Sequence, residues 1–161
     1  TLARGGVHLD ATYVKEHDRP TPREPVRLDL HPAGVAAALQ GLDWSANDGS
    51  MGTTHHLSNL EGRPDIFNVE GATILAKSGT ADPGDRRWVD RNFNNAVDEG
   101  EIEEVPDGAD HAWTIALIEP DGAGSPRYAV AVVVEFAGSG GATAGPIVNQ
   151  IAHALKAEGY F

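Results

Sequence analysis

Short clusters of this sequence carry residue types that do chemistry. Lys77-Ser78-Gly79-Thr80 sets an ammonium beside two hydroxyls and a glycine, directly after the apolar run Ala72-Thr73-Ile74-Leu75-Ala76. Taken alone, a lysine at a strand end before a glycine turn reads as a solvated residue. Ser45-Ala46-Asn47 offers a hydroxyl and an amide, and the pair suits a turn in which both satisfy local backbone groups. His55-His56 invites a metal, but adjacent residues on a strand face opposite ways and no carboxylate stands at helical spacing to assist. Surface loop histidines are the reading for that pair. Gly138-Ser139-Gly140-Gly141 has the look of a phosphate cradle but lacks the Gly-Lys-Ser/Thr ending of one. The acidic stretch 98–110 lacks the spaced Asp/Asn pattern and central glycine of a calcium loop, so no metal site and no cofactor is predicted.

The composition limits what those clusters can serve. The chain has 161 residues, enough for one domain, with a formal net charge of -12 and no cysteine. An acidic surface repels phosphate backbones and anionic lipid headgroups, so nucleic acid is not an expected partner. Without cysteine there are no disulfides, thiolate metal sites or cysteine nucleophiles. No apolar run is long enough to span a bilayer. The opening Thr1-Leu2-Ala3-Arg4-Gly5-Gly6 carries neither an initiator methionine nor a signal-peptide pattern, so the chain is expected to be a piece of a longer protein.

The elements that must position Lys77 follow from periodicity and breakers. Residues 1–4 read as the tail of a helix ended by Gly5-Gly6. Residues 15–27, with Pro20, Pro22 and Pro25, read as a solvated connection. A helix is predicted from about Pro32, with Val35, Ala38, Leu39 and Leu42 facing a core. Residues 45–68 show no sustained period and read as irregular. A strand is predicted over 72–77, closed by Ser78-Gly79. Residues 82–110 read as a long polar insertion, a solvated flap. Strands are predicted from about His111 to Ile118 and over Tyr128–Phe136, joined as an antiparallel pair through Pro120-Asp121-Gly122-Ala123-Gly124. Residues 138–145 read as a glycine-rich loop. Pro146 opens a terminal helix, with Ile147, Ile151, Ala154 and Leu155 on one face. The order of elements predicts an α+β fold with an antiparallel sheet.

In that order the features resemble the C-terminal half of class B penicillin-binding proteins, the monofunctional peptidoglycan transpeptidases. The family's Lys-Thr/Ser-Gly-Thr strand is matched by Lys77, Ser78, Gly79 and Thr80, and its His-Ser/Ala-Trp strand start by His111-Ala112-Trp113. Its apolar penultimate element is matched by Val130–Glu135, and its Gly-Gly-x-x-A-x-P turn by residues 140–146. Leu2-Ala3-Arg4-Gly5-Gly6 is similar to the family's A-N-G-G helix end, and Gly52-Thr53 to a Gly-Thr ahead of the motif strand. The resemblance spans nearly the whole chain.

What it implies is a portion of the β-lactamase/transpeptidase-like fold and a serine D,D-transpeptidase that works through an acyl-enzyme. Lys77 and Thr80 would take catalytic parts, with Lys77, Ser78, Gly79 and Thr80 binding the substrate or a β-lactam. The Lys77 ammonium would promote loss of the nucleophile's proton and attract the substrate carboxylate. Ser78 would point away from the cleft, and Gly79 would permit close approach. The Thr80 hydroxyl would bind the carboxylate and its N–H would donate to the oxyanion. No Ser-x-x-Lys occurs in this sequence, and Ser45-Ala46-Asn47 lies after the Gly5-Gly6 helix end instead of before it. The nucleophile and the Ser-x-Asn motif are therefore expected upstream, and this chain alone is expected to be inactive.

The resemblance further implies D-Ala-D-Ala stem peptides and β-lactams as ligands. Cell-wall assembly proteins are implied partners, at the periplasmic face of the inner membrane with the anchor outside this chain. A D,D-carboxypeptidase and a non-catalytic scaffold module are the alternatives. His111 is read as a strand-start residue and Trp113 as a core residue. The strand at 128–136 lacks a partner on one side. It is expected to be covered by the missing N-terminal half, by a second copy of the chain or by the chain's own N-terminal segment.

Overall fold

The apolar run Ile74-Leu75-Ala76 and the alternation of Trp113, Ile115 and Leu117 with Thr114 and Ala116 lie in two long strands, 72–81 and 111–120, that pair side by side. A computed structural model describes residues 1–9, 24–55, 65–107 and 109–161. After a 3₁₀ turn at Leu2–Arg4 come β1 (Val7–His8), β2 (Val26–Arg27), α1 (Pro32–Asn47), β3 (Ala72–Ala81), β4 (Arg86–Trp88) and β5 (Ile102–Glu104). β6 (His111–Pro120), β7 (Tyr128–Val134), a π-helical turn (Gly140–Ala144) and α2 (Gly145–Ala157) complete the described elements. The fold is α+β, with antiparallel sheets and a C-terminal helix. The central sheet has the order β3-β6-β7. Its β3–β6 ladder runs unbroken from Ala72↔Pro120 to Ala81↔His111, and β7 joins from Ala112↔Val134 to Ile118↔Tyr128. Pro120 sits at the end of β6, where its missing N–H costs least.

One face of this sheet carries the core. Ile74 and Ala76 of β3 and Ala116 and Ile118 of β6 pack with Val148 and Ala152 of α2, Ala46 of α1 and Val69. Ile118 and Val148 are fully buried, each worth about 1.5–3 kcal/mol in transfer free energy. The opposite face is more open. Trp113, Ile115 and Val133 there are 43%, 51% and 49% exposed, and a groove of about 270 Å³ runs between Leu42 of α1 and the Leu75, Ile115 and Ala131 side of the sheet. Among the described residues no strand pairs with the outer edge of β7.

Several expectations hold. Gly5 ends the opening turn with φ 58 and donates its N–H to the Leu2 carbonyl, the left-handed cap that a glycine takes without strain. α1 starts at Pro32, with His31 capping it by accepting from the Ala33 N–H at 3.3 Å. β6 begins at His111, whose Nδ1 accepts from the Phe136 N–H at 3.0 Å.

Others are corrected. β3 does not close at Ser78-Gly79 but continues to Ala81, because β6 offers ladder partners as far as His111. Ser45-Ala46-Asn47 is not a turn but the last turn of α1, with Ser45 and Ala46 buried. Ala38 is exposed, while Val35, Leu39 and Leu42 are half-buried. Residues 82–110 are not a structureless insertion: β4 and β5 pair from Arg86↔Glu104 to Trp88↔Ile102, as an arm beyond the β3–β6 pair. The loop expected at 138–145 contains a π-helical turn capped by Ser139 and leads into α2 at Gly145. Within α2 the buried stripe is Gly145, Val148 and Ala152, not the Ile147 face, and Ile147 is 36% exposed. The prolines at 20 and 22 of the expected connection, and His56, lie outside the described residues.

Candidate functional site

The edge of β3 away from β6 is where the predicted site residues gather. Asn47, at the end of α1, donates its side-chain amide to the Ile74 carbonyl at 3.0 Å. That donor lies outside the sheet, so the Ile74 carbonyl points away from β6. Backbone groups of a strand alternate edges, so Ala76, Ser78 and Thr80 present theirs to the same outer edge, and Lys77 and Gly79 pair inward with β6. The Lys77 Nζ donates to the Ser78 carbonyl at 2.6 Å, which brings the ammonium to that outer edge. Lys77, Gly79 and Thr80 are exposed. The edge thus presents an ammonium, the Ser78 carbonyl and the Thr80 N–H and carbonyl in sequence.

The side chains do not share one face. Pleat alternation puts Lys77 and Gly79 with Trp113 and Ile115, and Ser78 and Thr80 with Thr114 and Ala112. The reasoning that sends Ser78 away from a cleft on the Lys77 face sends the Thr80 hydroxyl away with it. Only a cleft along the strand edge receives both the ammonium and the Thr80 groups. Trp113, expected in the core, instead stands 43% exposed opposite Gly79.

A chain of hydroxyls buttresses the motif. Ser78 Oγ donates to Thr53 Oγ1 at 3.3 Å, and Ser45 Oγ lies 3.2 Å from Thr53 Oγ1 and 3.1 Å from Thr54 Oγ1. Thr54 is fully buried, and both its hydroxyl and its N–H donate to the Ser45 carbonyl, at 2.7 and 2.9 Å. Ser45 and Thr53 therefore support the strand end; Ser45 does so as a helix residue, a role its sequence neighbours did not reveal. On the same face, beside Thr53, the π turn lies against the backbone of the motif, and a Cβ on Gly141 would stand 2.7 Å from the Thr53 carbonyl oxygen. A Cβ on Gly140 would stand 2.2 Å from the Gly79 carbonyl oxygen and 2.3 Å from that of Trp113. The tight approach expected at Gly79 is thus felt at Gly140; a Cβ on Gly79 itself would meet the Trp113 Cβ at an ordinary 3.5 Å. Thr114, fully buried, donates its hydroxyl to the Gly140 carbonyl at 3.0 Å and completes the lock.

His55 Nδ1 lies 3.5 Å from Asp65, and among the described residues no group of three His, Cys, Asp or Glu side chains is placed to hold an ion. No helix among the described residues is long and apolar enough to cross a membrane. No known family model matches this chain, and no curated protein matches it at a significant level.

Proposed function

We propose that this chain is the C-terminal part of a serine D,D-transpeptidase domain of the class B penicillin-binding type, with the fold portion that family uses. The observation that carries the reading is the outer edge of β3. A solvent-facing Lys77 ammonium turns onto the Ser78 carbonyl at 2.6 Å, with the Thr80 N–H and carbonyl next along that edge. An extended D-Ala-D-Ala peptide or a β-lactam placed there meets backbone donors and acceptors along its length and a cation at its reacting end. The attacking serine comes from a segment ahead of this chain. In that complete site Lys77 lowers the cost of ionising the serine, and the Thr80 N–H supplies one of the two oxyanion donors. Envelope placement, stem-peptide substrates and cell-wall assembly partners belong to the same proposal.

Fluorescent penicillin tests it. The full-length protein takes up covalent label at a serine upstream of Thr1, and the isolated 161-residue chain does not. Failure of the full-length protein to label, with its fold intact, overturns the enzyme reading. That outcome leaves the scaffold reading, in which the same edge binds an extended partner segment by strand addition without bond cleavage.

A further inference from the structure

One imidazole joins the start of β6 to the segment that leaves β7. His111 Nδ1 accepts from the Phe136 N–H at 3.0 Å. A backbone N–H can only donate, so this ring nitrogen carries no proton and the ring is neutral, with its hydrogen on Nε2. Phe136 is itself held in a rare conformation. Its φ of 53 lies in the left-handed region, which a bulky residue seldom enters. Such backbone persists only where its contacts over-determine it. Besides the hydrogen bond, the His111 ring meets the Phe136 ring edge-on at 4.7 Å between centroids, and the Arg87 guanidinium stands 4.8 Å from that ring's centre.

The segment after Phe136 leads directly to the motif. The Ala137 and Gly138 N–H groups both donate to the Asp110 carbonyl at 2.8 Å, and the Ala137 carbonyl accepts from the Thr143 hydroxyl at 2.9 Å. Ser139 then caps the π turn, whose Gly140 sits against the Gly79 and Trp113 backbone. His111 is also the ladder partner of Ala81, the residue after Thr80. The charged residues on the elements around the ring are Arg87 of β4, Glu135 ahead of Phe136, Asp82 beyond Ala81, and Asp110 beside His111 in sequence. Among the described residues no carboxylate forms an ion pair with the ring. A proton taken up at Nδ1 therefore sets donor against donor at the Phe136 N–H, with the Arg87 charge on the far side of Phe136.

We propose that His111 is a pH-sensitive latch: the neutral ring holds Phe136 and the segment that seats the π turn, and protonation of the ring releases them. Imidazoles ordinarily change charge between about pH 5 and 8. The bond exists only with the neutral ring, so its stabilisation is present above the titration of His111 and lost as pH falls through it. Release loosens the seat of the π turn on Gly79 and Thr80. Slower acylation in acid follows only where the transpeptidase reading holds, whereas the latch stands on this chain alone.

The test is nitrogen-15 NMR of the 161-residue chain from about pH 8 to about pH 5, with hydrogen exchange of the same amides. At the upper end the His111 ring should show Nδ1 as its unprotonated nitrogen. Protection at Phe136, Ala137 and Gly138, taken relative to the intrinsic exchange rate at each pH, should fall by about three- to tenfold as His111 titrates, the worth of one ordinary hydrogen bond. Ile118, deep in the sheet, should keep its protection. His111→Asn offers the Phe136 N–H a carbonyl oxygen that does not titrate, and should hold protection constant over the whole span. The wild-type titration decides the matter if that variant folds poorly. Protection at Phe136 that persists unchanged across the span, a neutral ring with its proton on Nδ1, or the same acid loss in a folded His111→Asn overturns the latch. None of these readouts needs penicillin, so failure of the transpeptidase reading and failure of the latch are told apart.

Discussion

The side-chain amide of Asn47 meets the Ile74 carbonyl at 3.0 Å, and through this contact the end of α1 is fixed to the outer edge of β3. The same Asn47 amide also reaches Asp43 at 2.7 Å, within its own helix. The helix therefore covers the start of the β3 edge, while farther along it Lys77, Gly79 and Thr80 are exposed among the described residues. Asn47→Ala should cost about 1 kcal/mol, the net worth of a typical hydrogen bond. Urea unfolding should show this as a lower midpoint at unchanged slope. An unaltered midpoint would mean that α1 is held by its apolar contacts alone.

Gly140 has no room for a side chain. Its Cβ would enter the Gly79 and Trp113 carbonyl oxygens, and backbone on both sides has no flexible end to yield. Gly140→Ala should destabilise by about 1–3 kcal/mol, as overpacking does. It should also broaden the amide resonances of Gly79 and Thr80, whereas Gly122→Ala, with open space around its Cβ, leaves those resonances alone.

Glu103 ties the arm together and makes it pH-dependent. The Arg87 guanidinium beside it, with Arg91 adding to the field, holds its carboxyl below the ordinary glutamate value of 4.5. A carboxyl with a lowered folded value contributes stability that is complete above the unfolded value and is lost as pH falls through the folded one. Asp98, lowered by hydrogen bonds from Asn92 and Asn94, acts in the same direction. Hydrogen exchange at Val89 and Val105, whose N–H groups bond the Glu101 and Asp85 carbonyls, should lose protection below about pH 4.5, with Ile118 unaffected. Arg87→Gln should shift that loss upward in pH. Being an exposed pair, its effect on global stability should be small.

The central sheet was legible because its residues alternate. Trp113, Ile115 and Leu117 with Thr114, Ala116 and Ile118 announce a strand, and the Pro120–Gly124 run announces its return. What escaped was fixed by contacts distant in sequence. Ser45-Ala46-Asn47 reads as a turn, but Thr54 and Ile74 supply the partners that keep it helical. The stripe of α2 is misjudged because the π turn sets the helix down with Gly145, Val148 and Ala152 inward, and small residues give a weak apolar signal. β4 and β5 have no apolar alternation at all; Arg87 and Arg91 hold them through Glu103. Within the motif, residue types were legible, but the edge they address was not, since that required knowing where α1 lies.

Core packing gives a further check. Ile118, with no exposed surface, contacts the α2 side of the sheet, and Ile118→Ala should cost about 2–5 kcal/mol through lost burial and a residual cavity. Ile115→Ala, on the open face at 51% exposure, should cost far less in the isolated chain. If the upstream half of a domain covers that face in the full protein, Ile115→Ala becomes costly there, as read by thermal unfolding of the two forms.

The rate at which a β-lactam acylates the full-length protein bears most directly on the role given to the outer edge of β3. With Lys77→Met in an otherwise folded protein, the second-order acylation rate constant should fall by about 10² or more, the scale of removing one preorganised electrostatic group. An acylation rate that survives Lys77→Met unchanged, or covalent label appearing on residues 1–161 by themselves, would contradict the account.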